Sequence, residues 1–444
     1  MRCESRRNGV ACRVWANMAN VAVIGAGFIG LSSAYWLMRD GHRVTLLDPQ
    51  GPGEATSYGN AGTFAHYACI PVNNPSVFRG LPRYLLSKSS PLRIRWGYMP
   101  RLAPWLGRFL FNSLPSRYPA NVEALATILA RAQDGYREML AMPSLAGFVR
   151  ERECLYLYSS QTSFDAASPA LELRRSLGVE FDVLDRDEVR ALEPQLAPLF
   201  ERGVRFGGSW YLTDPRGFLR ALHAALSEQG MEHHRMAVDS IEIRGHAVTL
   251  GTSGNTSRNT SGPTRGSGTM REAADFEHVV LCTGAHSREL ARQCGDVVPL
   301  DTERGYHVQF ADTEGLISRP CGWAERGFYM TPMAGGVRAA GTVELAGFGP
   351  RRNASLLDLL SRSAQRALPA LSQHANTAWL GFRPTLPDGL PVIGPSRASP
   401  RVIYAFGHQH LGVTLGGVTG SIVADLVAGR APPIDLARYS ARRF

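Results

Sequence analysis

The stretch Val21–Asp48, VAVIGAGFIGLSSAYWLMRDGHRVTLLD, holds a short apolar strand, Gly25, Gly27 and Gly30 in G-x-G-x-x-G spacing, an amphipathic helix, a second apolar strand and a terminal carboxylate. That succession reads as a dinucleotide-binding βαβ unit. The first glycine permits the tight turn, the second lets backbone approach a pyrophosphate, and the third, with Ala34, lets the helix lie against the sheet. Phe28 and Ile29 fall in the first helical turn, where free N–H groups and the positive end of the helix dipole suit phosphates. Asp48, eighteen residues past Gly30, stands where an acid accepts a hydrogen bond from an adenosine ribose hydroxyl.

At 444 residues the chain exceeds the roughly 250–300 residues that one hydrophobic core serves, so two domains are expected. No apolar run is long enough to span a bilayer as a helix. Seven cysteines are scattered without a C-x-x-C pair, which argues against a metal cluster or a disulfide scaffold and for buried thiols in a reducing compartment. No metal site is expected. Residues 1–19 carry Arg2, Arg6, Arg7 and Arg13 but no apolar core, so they are not a secretory signal and read as a basic, disordered extension outside the fold, either an upstream start-codon artefact, since Met18 is a natural start, or a transit-like tail.

The formal charge of +10 is unevenly placed, because Ala55 to Val122 holds no Asp or Glu but eight cations: Arg79, Arg83, Lys88, Arg93, Arg95, Arg101, Arg108 and Arg117. Trp96, Tyr98, Trp105, Phe109 and Phe111 are interleaved with them. Such a block suits an anionic membrane face; equally, it reads as a solvated helical excursion whose aromatics face the core. No binding module accompanies it, so nucleic acid is excluded as a partner.

Gly51–Pro71 is too glycine-rich for regular structure yet polar enough to line a ligand, as long loops often do. A helix is expected over Asn121–Leu140, another behind Asp214-Pro215, and a hairpin from Val238–Ile243 and His246–Leu250. Gly251–Met270 has fourteen Gly, Ser or Thr residues in twenty, too little apolar area to offset ordering entropy, and is expected to be a disordered insertion. Near the C-terminus, strand Val402–Phe406 ends at Gly407, and Gly416, Gly417 and Gly420 open an apolar helix that closes at Gly429. Two glycine-rich helix starts at opposite chain ends suit a cofactor with charge at both ends, which favours FAD over a nicotinamide dinucleotide.

With VVLCTGAHS, GFRPTLPDGLPVIG and FGHQHLGVTLG added to these parts, the chain resembles the FAD-dependent D-amino-acid oxidase and dehydrogenase superfamily, most closely the bacterial D-amino-acid dehydrogenase branch. The resemblance runs from Asn20 to Phe444. It implies an α/β fold: a discontinuous Rossmann-like FAD-binding domain over 20–74, 202–298 and 377–444, and a substrate domain with a mainly antiparallel sheet over 75–201 and 299–376. By the same resemblance Arg383 binds the substrate carboxylate, Ser57, Asn60 and Gly62 lie in the flavin-facing loop, and Gly284 lies in the adenosine-side turn. Gly407, Gly412, Val413 and Thr414 place backbone against the flavin pyrimidine, and Tyr306 falls in a segment that often supplies an active-site tyrosine. Gln409 and His410 stand where many relatives carry small residues, which makes His410 a catalytic candidate and His66 a lesser one.

The implied activity is FAD-dependent oxidation of the C–N bond of a D-amino acid, with a D-proline-type imino acid as one candidate, by hydride transfer to flavin, giving an imino acid and then a 2-oxo acid and ammonia. Electrons would pass to a quinone-type acceptor, from a cytoplasmic protein peripheral to the inner face of the membrane. Competing readings are a glycine or sarcosine-type oxidase using dioxygen, a non-catalytic flavin-binding subunit and an NAD-dependent dehydrogenase. The substrate side chain and the oligomeric state are not legible.

Overall fold

The computed structural model describes residues 18–78, 92–254, 273–349, 351–374 and 376–444. A six-stranded sheet runs in the order Val392–Pro395, Val402–Phe406, His278–Leu281, Asn20–Ile24, Arg43–Leu47 and Glu232–His234, parallel throughout except for its first strand. The near-continuous apolar runs NVAVI, HVVL and VIYAF fit a sheet buried on both faces. Helices Phe28–Arg39, Pro215–Glu228 and Gly412–Val427 pack against one face, with Leu31, Leu37, Phe218, Leu222 and Val423 in the shared core. On the other face lies a three-stranded antiparallel sheet of Met236–Arg244, Ala247–Gly254 and Ala273–Phe276.

The second large sheet has nine strands. Eight follow the order Asn376–Thr385, Asp301–Phe310, Gly336–Leu345, Phe328–Met333, Cys321–Trp323, Cys154–Tyr158, Arg202–Phe206 and Phe181–Leu184, and Leu92–Ile94 pairs beside Gly336–Leu345. All pairings are antiparallel except the Leu92–Ile94 pair and that between Cys321–Trp323 and Cys154–Tyr158. Helix Ala354–Ala367 covers one face, where Tyr306, Val308, Phe310, Leu356 and Leu360 form a core.

Several expectations change. Residues 202–206 and 377–385, assigned by sequence to the nucleotide side, build strands of the nine-stranded sheet, because alternating side chains there find ladder partners at 154–158 and 301–310. Ala19 is already buried and its N–H donates to His42 Nδ1 at 3.2 Å, so the ordered fold begins within the expected extension. The strand from Ala247 continues through Gly254, into the expected insertion; residues 255–270 lie outside the described residues. The helix expected over 121–140 breaks at Arg131 into Tyr118–Ala130 and Ala132–Leu140. The second piece turns so that Gly135 meets the backbone of Gly417 and Tyr136 Oη donates to the Val413 carbonyl at 2.5 Å.

The C-terminal helix starts at Gly412, not at Gly416. Gly416 and Gly420 instead face helix Phe28–Arg39: a Cβ on Gly420 would lie 2.5 Å from the Ser32 carbonyl oxygen. These glycines permit backbone-to-backbone packing of the two helices, so both ends of the chain meet.

Within the basic block the two readings divide residue by residue. Trp105 is buried and stacks on Phe109 with ring centroids 5.3 Å apart, whereas Trp96 and Phe111 are 68% and 49% exposed. Arg79, Arg83 and Lys88 lie outside the described residues. Among the described residues no helix is long and apolar enough to cross a membrane, and no cluster of metal-ligating side chains occurs.

Candidate active site

The glycine turn sits between two strand ends. Gly25 adopts φ 113°, and a Cβ there would lie 2.5 Å from the Cys282 carbonyl oxygen; one on Gly30 would fall 1.7 Å from the carbonyl oxygen of Gly25. Neither position tolerates a side chain without moving backbone. Helix Phe28–Arg39 has no side-chain cap from its Gly27 N-cap and no acid in its first turn. Ser57 Oγ accepts from the Phe28 N–H at 3.3 Å. Asp48 accepts from the Ala26 N–H at 2.8 Å and the Gln50 N–H at 2.7 Å, fastening the turn to the second strand. Burial raises its pKa, against the pull of those two backbone donors.

The loop after this unit is held from several sides. Asn60 donates to the Ser57 carbonyl and accepts from the Gly62 N–H, both at 2.6 Å. Gly62, at φ 70°, meets the Leu212 carbonyl too closely for a Cβ. Thr56 Oγ1 donates to the Phe382 carbonyl at 2.9 Å, and the Ala65 N–H donates to Thr414 Oγ1 at 2.9 Å. Buried Arg338 donates to the Tyr58 and Asn60 carbonyls and twice to Gln309 Oε1. Trp379 fills the space at Gly59, and His307, stacked on Trp379, faces the Gly59 carbonyl at 3.1 Å.

Alternation along Asp301–Phe310 puts Glu303, Gly305 and His307 on one sheet face, opposite Arg383, Gly381 and Trp379 of the neighbouring strand. Gly305 makes room for Arg383, whose Cζ would lie 2.5 Å from a Cβ there. The Arg383 guanidinium donates once, from Nη1 to the Thr342 carbonyl at 2.9 Å, and bonds to no other described residue. It is desolvated but partly accessible, and burial lowers its pKa against the opposing pull of Glu303. Thr342 has φ 60°, costly for a β-branched residue, at a register shift where its strand carries an extra residue. That bulge takes the Thr342 carbonyl out of the ladder and aims it at Arg383.

The turn after Val402–Phe406 closes the site. Gly407 has φ 84°, and a Cβ there would strike Leu386. Gln409, at φ 50°, points into the protein, with its N–H on the Pro384 carbonyl at 3.0 Å and its Nε2 on the Leu386 carbonyl at 3.2 Å. His410 projects the other way, accessible yet crowded by protein; burial first, and the Arg383 charge second, lower its pKa to about 4. Helix Gly412–Val427 also starts without a side-chain cap or an acid in its first turn, and the space beside Gly412 is open.

A family profile described as FAD dependent oxidoreductase matches residues 20–426. The chain belongs to that family. This FAD-dependent oxidoreductase is 34% identical over 434 residues to a D-amino-acid oxidase of Bradyrhizobium diazoefficiens, covering 96% of this chain and 99% of the relative. It is 30% identical over 436 residues to a D-amino acid dehydrogenase of Methylobacterium nodulans, with 96% and 99% covered. In fold it is similar to glycine oxidase from Geobacillus kaustophilus, with TM-score 0.68, 21% identity and coverage of 96% of this chain and 99% of that one.

The residues present fit FAD. Two helix starts without a cap from their own N-cap residues, one beside the glycine turn whose Gly25 and Gly30 admit no Cβ, offer backbone N–H groups to a ligand. Val413 and Thr414 are already engaged, the first by Tyr136 and the second by Ala65, so they brace the second helix start. Gly284 has φ 57° and opens a short 3-10 turn after the central strand His278–Leu281, with nothing near it that a Cβ would meet.

Of the three residues expected to act in catalysis, the fold brings Arg383 and His410 together and leaves Tyr306 apart. Even-numbered residues of 301–310 face the helix Ala354–Ala367. There Tyr306 Oη donates to Glu344 Oε2 at 2.5 Å and accepts from the Asn353 N–H, while Arg304 pairs with Glu344 at 2.9 Å. Tyr306 is a core residue on the far face of the sheet. His66, partly buried and stacked on Phe64, has burial lowering its pKa. Reasoning from motifs passed over Glu303, Arg338, Thr342 and Trp379. For Glu303 a signal existed, since a period of two through DTERGYHVQF sets it on the face opposite the buried Tyr306 and Val308.

Proposed function

We propose that this enzyme oxidises the C–N bond of a D-amino acid, cyclic D-proline-type imino acids among the candidates, and passes the electrons to a quinone-type acceptor. The observation that carries the reading is Arg383: a guanidinium with one protein bond, lying over Gly305 of the neighbouring strand. A planar fork with donors to spare suits a carboxylate held bidentately. The names of the sequence relatives support an amino-acid substrate of D configuration.

In this reading the N–H groups of Gly27, Ile29 and Gly30 and the start of helix Gly412–Val427 hold the cofactor, with Asp48 at its ribose and loop 56–62 beside it. Bound FAD supplies the two-electron acceptor. Arg383 anchors the substrate carboxylate, the bulge at Thr342 fixes the guanidinium, and Trp379 and Arg338 keep the 56–62 loop in place. Positioning of this kind can lower a barrier by about 7–11 kcal/mol. His410, uncharged near neutral pH with a pKa of about 4, adds no competing cation.

For the acceptor, the support is a segment that exposes Trp96 and Phe111 together with Arg95, Arg101 and Arg108, none of which pairs with a described carboxylate. Each such cation near an anionic bilayer contributes on the order of 1 kcal/mol.

Anaerobic bleaching of the purified yellow protein by D- and L-amino acids, D-prolines, glycine and sarcosine tests the donor. Bleaching by D-amino acids and not their L-forms is expected; reduction by glycine and sarcosine alone would overturn the reading. Reduction of a short-chain quinone without peroxide, and sedimentation with anionic but not neutral vesicles, are expected for the acceptor side; stoichiometric peroxide would replace quinone by dioxygen.

A further inference from the structure

Glu303 is a charged group without a completed role. It lies directly across the strand pair from Arg383, on the same face. Thr385 Oγ1 donates to its Oε1 at 3.1 Å, and its other oxygen has no described partner. Protein surrounds it without sealing it: burial raises its pKa, the positive Arg383 opposes that rise, and part of the residue remains accessible.

Carboxylates elsewhere around these strands are committed. Asp388 pairs with Arg443 at 2.6 Å, Asp301 accepts from Tyr98 Oη at 3.1 Å, and Glu344 serves Arg304 and Tyr306 on the far face. His410 offers no negative charge, and Arg338 is consumed by the 58–60 loop. The site thus presents one open cationic fork and one open anionic oxygen side by side. A bare carboxylate would satisfy the first and leave the open oxygen of the second without a donor, whereas an α-amino acid carries the opposite charge of each one carbon apart.

Resting on the amino-acid reading above, we propose that Glu303 is the specificity residue that receives the positively charged nitrogen of the substrate while Arg383 holds its carboxylate. The pair then matches a zwitterion, primary or cyclic, and rejects acids that lack the nitrogen. Selection of this kind works largely through the penalty on the wrong ligand, whose binding strands a buried charge.

The test uses flavin-loaded protein and two ligands without an α-hydrogen, which therefore cannot be oxidised: 2-aminoisobutyrate and 2-hydroxyisobutyrate, alike in shape and differing in the cation. Binding is followed by perturbation of the flavin absorbance. Wild-type protein is expected to bind the amino ligand about tenfold tighter or better, and Glu303→Gln to erase that preference by weakening the amino ligand while the hydroxy ligand holds or tightens. Equal weakening of both ligands would make Glu303 a mere support for Arg383, and an unchanged ratio would remove it from the site; either overturns the proposal. Should Glu303→Gln fail to load flavin, Glu303→Ala, which lets water replace the carboxylate, carries the same comparison, and indifference of the wild-type protein to the amine overturns it without any variant. Bleaching by D-amino acids with an unchanged ligand ratio would refute Glu303 alone. No bleaching by any amino acid would refute the donor reading on which it rests.

Discussion

The two sheets present different chemistry to the space between them. From the parallel sheet come backbone groups, the starts of helices Phe28–Arg39 and Gly412–Val427, neither capped by its own N-cap side chain, the first beside Gly25 and Gly30, which admit no Cβ, and the second beside the open space at Gly412. From the nine-stranded sheet come side chains: Arg383, Glu303, Arg338 and Trp379 on one face. Backbone recognition is indifferent to most substitutions but intolerant of a changed glycine. Side-chain recognition is tunable one residue at a time, so the first sheet can keep one cofactor while the second changes substrate.

That contrast breaks most visibly at Gly30. Gly30→Val must displace the Gly25 carbonyl, and overpacking against backbone is expected to cost about 3 kcal/mol or more; the protein should be recovered colourless or unfolded. A yellow product with unchanged melting temperature would show that the turn is not the rigid element described.

On the other sheet, Arg383→Ala should keep the flavin spectrum and lower kcat/KM for an amino acid by about two to three orders of magnitude, since loss of a charge-assisted buried contact costs about 3–4 kcal/mol. Steady-state kinetics decide, and near-normal kcat/KM would take Arg383 out of the site.

Arg338 sharpens the contrast within one sheet face. Its donors go to Tyr58, Asn60 and Gln309, so Arg338→Met should lower stability by about 2–3 kcal/mol and loosen flavin, with KM little changed. A KM effect rivalling that of Arg383→Ala would merge the two roles.

Smaller still, Tyr306→Phe removes two hydrogen bonds on the far face, the one donated to Glu344 and the one accepted from the Asn353 N–H, and should cost about 1–2 kcal/mol in denaturant unfolding with kinetics intact; a large kcat loss would return Tyr306 to the site. The least effect is expected from His410→Asn on the pH profile. Folded His410 protonates only near pH 4, below the usual histidine range, so it is already neutral on both sides of any inflection between about pH 6 and 9. An inflection lost in the variant would contradict that assignment.

How much of this was legible follows from the same division. The glycine turn, Asp48 and the return of the C-terminus are written as local spacings, which one sequence displays. Arg383 was visible through the GFRP segment and the resemblance it supports. Its surroundings were not: Glu303 and Gly305 belong to another strand, and only the register between 301–310 and 376–385 places them beside it. Tyr306 shows the converse hazard, because a shift of one residue along a strand reverses the face a side chain occupies. The glycines at 416, 417 and 420 fit a ligand-facing helix start by spacing, since sequence alone does not separate a glycine that meets a cofactor from one that meets another helix.

The strand order also fixes a timetable. Asn20–Ile24 emerges from the ribosome long before its neighbour His278–Leu281, which in turn lies beside the still later Val402–Phe406. During synthesis the earliest strand therefore waits with one edge unpaired for more than half the chain, a state open to wrong partners. Prosthetic-group capture that needs the helix at Gly412 waits until that helix has been made, and nascent chains released earlier leave the ribosome without a receptacle to fill.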